Sequence, residues 1–233
     1  APMLGNPREL DYASARQRRI DDLPAPLENV TAQMVDYLSG LFIWGHPRAQ
    51  INVVPSPTIA SIIGGLLPSI YNPNLCSDES SRRVALAEVE VSAMTADLVG
   101  YDQATAAGLF TFGGTGTLLY GMKLGLEKVC PGTGQTGVRE PAVLVCSERA
   151  HYACRSVANW LGIGESNIAL VPANEDNEMR TCLLETQLKE LLKDGIKIAG
   201  VVATMGTTDA FGLDDLQSIR ATCDELSERF HLP

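Results

Sequence analysis

Between Leu109 and Val129 the chain reads LFTFGGTGTLLYGMKLGLEKV, with three glycines and two threonines running into a helical pattern of Leu, Met, Lys and Leu. A helix start carries unpaired backbone N–H groups and the positive end of a dipole, so it draws anions. Glycines let the backbone approach a ligand closely, and Thr115 and Thr117 add hydroxyl donors, which suits a phosphate. The loop is not a P-loop, because no Gly-Lys-Ser/Thr follows, and the dinucleotide spacing G-x-G-x-x-G is absent. A plain Gly-rich turn fits the same residues. Two further turns bear polar groups. SERAHYACRSVANWLGIG (147–164) puts His151 at a helix start after a strand, and VVATMGTTDAFGLDDL (201–216) ends a strand in a Gly-Thr-Thr turn. In an open parallel sheet the C-terminal strand ends line the ligand crevice, so the three turns are expected to converge there.

The elements that must position these turns follow from periodicity. Residues 26–42 carry apolar residues at helical spacing. Residues 56–70 form an apolar, helix-like segment punctuated by Gly and Pro, and residues 80–100 an amphipathic helix pattern closed by Gly100. After Gly108 short apolar runs alternate with helical patterns. The Gly-Thr loop opens a helix to about Val129, and 130–137 is a flexible CPGTGQTG. Residues 142–146, 168–172 and 198–204 read as strands. Residues 151–162, 183–195 (stopped by Gly195) and the closing run from Asp215 to Phe230 read as helices. This alternation predicts an α/β layer with a mainly parallel sheet.

Composition narrows the function. The chain has 233 residues, 45% hydrophobic and 20% charged, as in an ordinary soluble enzyme. A formal net charge of −10 argues against nucleic acid or an anionic membrane surface as a partner. The six cysteines (Cys76, Cys130, Cys146, Cys154, Cys182 and Cys223) include no C-x-x-C pair, and with three histidines no metal-site spacing appears. Several cysteines sit in apolar runs and read as buried thiols. No leader or membrane-span pattern is present, so a cytoplasmic protein is expected.

The ordered segments FTFGGTGT, SERAH and ATMGTTDAFGLDD resemble the group II pyridoxal-phosphate-dependent amino acid decarboxylases. GHPRAQINVVPSPTIASIIGGLL (45–67) and LAEVEV (86–91) are similar to that family's His-Pro segment and Glu-Leu-Glu helix, so the likeness covers most of the chain from about residue 45. It implies a fold-type I architecture, with a helical arm over residues 1–75 and the N-terminal part of the large cofactor domain over 76–233. The implied cofactor is pyridoxal 5'-phosphate. Gly114, Thr115 and Gly116 would hold its phosphate, with Thr117 nearby; His151 would stack on its ring and position the substrate. Thr207 and Asp214 correspond to positions around the cofactor, and Asn52 to a substrate-contacting position. Other roles stay open: His151 as a cap or packing residue, and Asp214 as the N-cap of the last helix.

The implied reaction is decarboxylation of an L-amino acid. A carbon–carbon lyase, an aminotransferase and a non-catalytic subunit are the alternatives. The chemistry also needs a Schiff-base lysine and a carboxylate at the pyridine nitrogen. The lysines are Lys123, Lys128, Lys189, Lys193 and Lys197, all in or beside helical patterns and all reading as solvated surface. The resemblance places the missing aspartate and lysine after Pro233, so the expected partners are a C-terminal remainder of the enzyme and a second copy in a homodimer.

Overall fold

The computed structural model describes residues 2–20, 22–49 and 54–232. The chain separates into two compact units, Ala1–Asn74 and Leu75–Pro233. In the first, β1 (Met3–Leu4) pairs antiparallel with β2 (Leu41–Phe42), and α1 (Tyr12–Ala15), α2 (Leu27–Asp36) and α3 (Ile59–Tyr71) complete the unit. α3 starts at Thr58, whose side chain accepts the Ser61 N–H, and stops at Asn72 in the left-handed region, φ 43°. Pro68 lies inside it, in the last turn, where its missing N–H costs one helical bond. α3 gathers Ile59, Ile62, Ile63, Leu66, Leu67 and Ile70 on one face, with Ser61, Gly64, Gly65 and Ser69 on the other, and none of its residues is buried.

The second unit opens with α4 (Asp78–Ser81) and α5 (Val84–Leu98), so the helical pattern of 80–100 is interrupted at Arg82, φ 50°. α6 (Gly114–Val129) and α7 (Thr133–Thr136) follow, then β3 (Ala142–Ser147), α8 (Ala153–Trp160), β4 (Ile168–Val171), α9 (Thr181–Lys193), β5 (Lys197–Val202) and α10 (Leu216–Arg229). The three strands form a parallel sheet in the order β4-β3-β5. Successive side chains point to opposite faces, and because both faces are covered the strands are apolar almost throughout. Val143, Val145, Ala169, Val171, Ile198 and Val201 pack with Leu184, Leu188, Ile219 and Leu226 of α9 and α10. Ala142, Leu144 and Cys146 face α6 and α8 instead, against Leu126, Ala158, Cys154 and Val157. Each fully buried aliphatic side chain in these layers contributes roughly 1.5–3 kcal/mol.

One irregularity sets how α6 sits on the sheet. Val143 pairs with Ile198 but Leu144 with Gly200, so Ala199 is an extra residue in β5. This bulge lets Ile198 and Val201, three apart, share a face. It also aims the Ala199 carbonyl at α6, where a Cβ on Gly125 would lie 1.9 Å from its oxygen. Close approach of this helix to β5 therefore requires Gly125.

The 130–137 segment, which the sequence reads as flexible, contains the short helix α7. The Glu127 carboxylate accepts the N–H groups of Gly132 (2.7 Å) and Gly134 (2.9 Å) and so holds α7 in place. These bonds from Gly134 and Gly132 hold its carboxyl below the usual range. At α10 the N-cap is Asp215, which accepts the Ser218 N–H at 3.0 Å, and not Asp214. Among the described residues no disulfide forms, and Cys130, Cys146 and Cys154 are buried. A hydrogen bond to Cys154, together with burial, pushes the Cys146 thiol up.

Candidate functional site

The early part of α6 (Leu118, Leu119, Met122) packs on the late strand residues Cys146 and Val202. Its later residue Leu126 packs on Ala142 and Ala199. α6 therefore runs antiparallel to the strands, and Gly114 stands beyond their C-terminal ends. His151 follows β3, and Thr207 and Asp214 follow β5, at the same edge. The topology thus brings these turns together, while Asn52 lies outside the described residues.

At the start of α6 the N-cap is Gly113, at φ 81°, with no side-chain cap. The first helical bond runs from the Thr117 N–H to the Gly113 oxygen at 3.2 Å. The N–H groups of Gly114, Thr115 and Gly116 have no acceptor among the described residues. They stand together at the positive end of a 16-residue helix, where negative charge is favoured. Gly116 is buried, and a Cβ there would come within 2.9 Å of Thr111 Cβ, so the tight turn needs this glycine. The two loop threonines differ. Thr117 Oγ1 is engaged by Thr111 Oγ1 at 2.9 Å, whereas the Thr115 hydroxyl has no bond inside the loop. A phosphate group fits this helix start; Thr115 is the hydroxyl left to reach it.

His151 is half-buried, and its Nδ1 accepts the Ala153 N–H at 3.1 Å. That bond satisfies the first N–H of α8, whose N-cap residue is Tyr152, and in the neutral ring it places the proton on Nε2. The same geometry leaves the ring at the sheet edge, 4.1 Å from the Tyr152 ring at an interplanar angle of 34°. Capping and ligand contact are thus compatible at His151.

Thr207 is 2% exposed, and its Oγ1 accepts the Gly212 N–H at 3.2 Å. Its turn is tied by the Gly206 N–H donating to the Gly212 oxygen at 3.0 Å. Asp214, 3% exposed, uses both carboxylate oxygens on backbone: Oδ1 accepts the Met179 N–H at 2.7 Å and Oδ2 the Thr204 N–H at 2.8 Å. Charged acceptors of this kind form strong bonds, and both oxygens of this one are occupied.

Sequence reasoning passed over Thr111, which locks Thr117, and Asn177, whose Nδ2 donates to the Ala210 oxygen at 3.2 Å. It also passed over Glu148, whose Oε1 accepts the Ala173 N–H at 3.2 Å. Only Glu148 carried a usable signal, an acid one residue past the β3 run. The five lysines lie elsewhere: Lys123 and Lys128 on α6, Lys189 and Lys193 on α9, and Lys197 at the opposite, N-terminal end of β5. Among the described residues no cluster of His, Cys, Asp or Glu could hold a metal, and no helix is long and apolar enough to cross a membrane.

Known proteins resemble this chain in sequence and in fold. Over 202 residues the chain is 29% identical to L-2,4-diaminobutyrate decarboxylase of Acinetobacter baumannii, covering 80% of this chain and 39% of the relative. It is 28% identical over 189 residues to the acidic amino acid decarboxylase GADL1 of Homo sapiens, covering 80% and 36%. The fold superposes on mouse CSAD with a TM-score of 0.85 at 24% identity, over 99% of this chain and 48% of that one. The rice structure described as Oryza sativa TDC with PLP and tryptamine gives 0.80 at 16% identity, covering 98% of this chain and 48% of the other. The chain thus spans about two fifths of these curated relatives and about half of these solved structures. The "Pyridoxal-dependent decarboxylase conserved domain" matches residues 11–232, and the chain belongs to that family.

Proposed function

We propose that this chain supplies the phosphate-binding half of a pyridoxal-phosphate-dependent L-amino acid decarboxylase. The observation that carries the reading is the uncapped start of α6 at the sheet edge that also bears His151. Gly114, Thr115 and Gly116 bind the cofactor phosphate through backbone N–H groups and the Thr115 hydroxyl. Pyridoxal phosphate, when bound, supplies an electron sink for the pair left behind as the α-carboxylate departs. His151, at the same edge with Nδ1 already engaged by the Ala153 N–H, would lie beside the bound ring and offer its Nε2–H to the substrate. The amine required by this chemistry comes from polypeptide outside these residues, since no lysine here stands at the C-terminal edge. A cytoplasmic setting belongs to the same reading, supported by Cys130, Cys146 and Cys154 being buried as thiols in the packed layers.

The protein containing this chain, supplied with pyridoxal phosphate, is expected to show a visible absorbance band that borohydride bleaches. No such band would remove the proposal. In that protein His151→Ala is expected to lower kcat by about 10²-fold while cofactor affinity changes less, because misplacement beside the reacting bond costs rate before binding. Equal kcat in the variant would return His151 to capping alone.

A homodimer is part of the proposal, supported by apolar surface. Ile59, Ile62, Ile63, Leu66, Leu67 and Ile70, on one face of α3, are each at least 49% exposed, and a continuous apolar face of this kind marks a surface that a partner covers. Deleting residues 1–40 is expected to shift sedimentation from dimer toward monomer or aggregate. A truncated protein that stays a stable, active dimer would contradict the arm's role.

A further inference from the structure

The loops that follow β4 and β5 are joined to each other, although β3 lies between their strands. Asp214, after β5, accepts the Met179 N–H at 2.7 Å from the loop after β4 and the Thr204 N–H at 2.8 Å from its own. Asn177, at φ 64°, donates from Nδ2 to the Ala210 oxygen at 3.2 Å. The backbones also meet closely: a Cβ on Gly212 would lie 2.1 Å from the Asn177 oxygen. Gly212 is the residue whose N–H binds Thr207 Oγ1. The contacts therefore converge on the turn that carries Thr207, and Thr207, Met179 and Asp214 are all buried there.

We propose that Asn177 and Asp214 are positioning residues that latch the Thr207 turn to the loop after β4. The two loops form one rigid platform over the end of β3, from which the His151 turn emerges. Asp214 acts through backbone, since both its oxygens are occupied, and Asn177 acts through the Ala210 carbonyl. The functional consequence rests on the proposed function, in which this edge faces the cofactor: Thr207 keeps its hydroxyl proton for a ligand only while Gly212 holds its oxygen in place.

The test uses Asn177→Gly, which tolerates the positive φ and removes only the side-chain bond, and Asp214→Asn, which leaves one of two buried N–H groups facing a donor. The amides of Gly206 and Gly212 report the turn directly, because both are bonded within it. In the intact protein, hydrogen exchange at these two amides is expected to speed up about fivefold in N177G, the worth of one hydrogen bond, with urea stability falling by no more than that same bond. D214N is expected to speed it more. In the cofactor-binding protein, the dissociation constant for pyridoxal phosphate is expected to rise by a similar factor in N177G. Unchanged exchange at Gly206 and Gly212 in N177G overturns the latch. Faster exchange with unchanged cofactor affinity overturns the positioning role. Wild-type protein that takes up no pyridoxal phosphate sinks the proposed function instead, and the exchange result then still decides the latch. If D214N fails to fold, N177G decides alone.

Discussion

Gly125→Ala is expected to destabilise the protein by about 3 kcal/mol, or to prevent its folding, even though alanine is the better helix former. Propensity alone would favour the variant by roughly 1 kcal/mol in a helix interior. Against that stands a methyl carbon 1.9 Å from the Ala199 carbonyl oxygen, an atom fixed in the bulge of β5. Neither partner can rotate away, so α6 would have to lift from the sheet and open the packing of Leu126 and Met122. Gly121, on the same helix, has nothing within 4 Å of its would-be Cβ. Gly121→Ala is accordingly expected to stabilise by about 0.5–1 kcal/mol. Urea unfolding of the two variants side by side checks both signs, and a G125A protein as stable as the parent would refute the close approach.

The second large effect is expected at Leu184. Its side chain is 0% exposed and sits on α9 among Val145, Val171, Leu188 and Ile219. Truncation to alanine removes the transfer energy of the lost carbons and leaves a cavity that the sheet cannot collapse to fill, a loss of about 2–5 kcal/mol. Leu124, 72% exposed on α6, serves as the matched control and should change stability by less than about 0.5 kcal/mol. A Leu184→Ala protein with the parent's urea midpoint would mean that α9 does not pack as described.

The strands AVLVC, IALV and IAGVV were legible because each is a short apolar run bounded by turn residues, a pattern few other structures satisfy. Parallel pairing followed from the helices between them. The Ala199 bulge was not legible, since an unbroken run such as IAGVV has no polar residue to mark which side chain faces which layer. The short helix within 130–137 was hidden for another reason: Gly, Pro and Thr signal a loop, and the anchor, Glu127, lies in the preceding helix. At the site, helix-start glycines and a histidine after a strand are visible to spacing arguments. Their supports are not. Asn177 in NEDNEM resembles any polar turn residue until the fold places it beside Ala210. The role of Asp214 was similarly concealed, because its partners Met179 and Thr204 come from two different loops.

The parallel order β4-β3-β5 has a consequence in time. Ala142 of β3 meets Lys197 of β5 only after α8, β4 and α9 have been threaded between them. Parallel pairing across crossovers must meet the entropy of closing long loops before any contact rewards it, which slows folding relative to a helical bundle of equal size. The edge bearing His151, Thr207 and the start of α6 is assembled from the ends of those crossovers, so it comes into being late. Until then IAGVV is an apolar, uncharged strand segment with an open edge, the kind of sequence that pairs with its own copies. Yield on refolding should therefore fall as protein concentration rises, with the β5 segment as the first point of self-association.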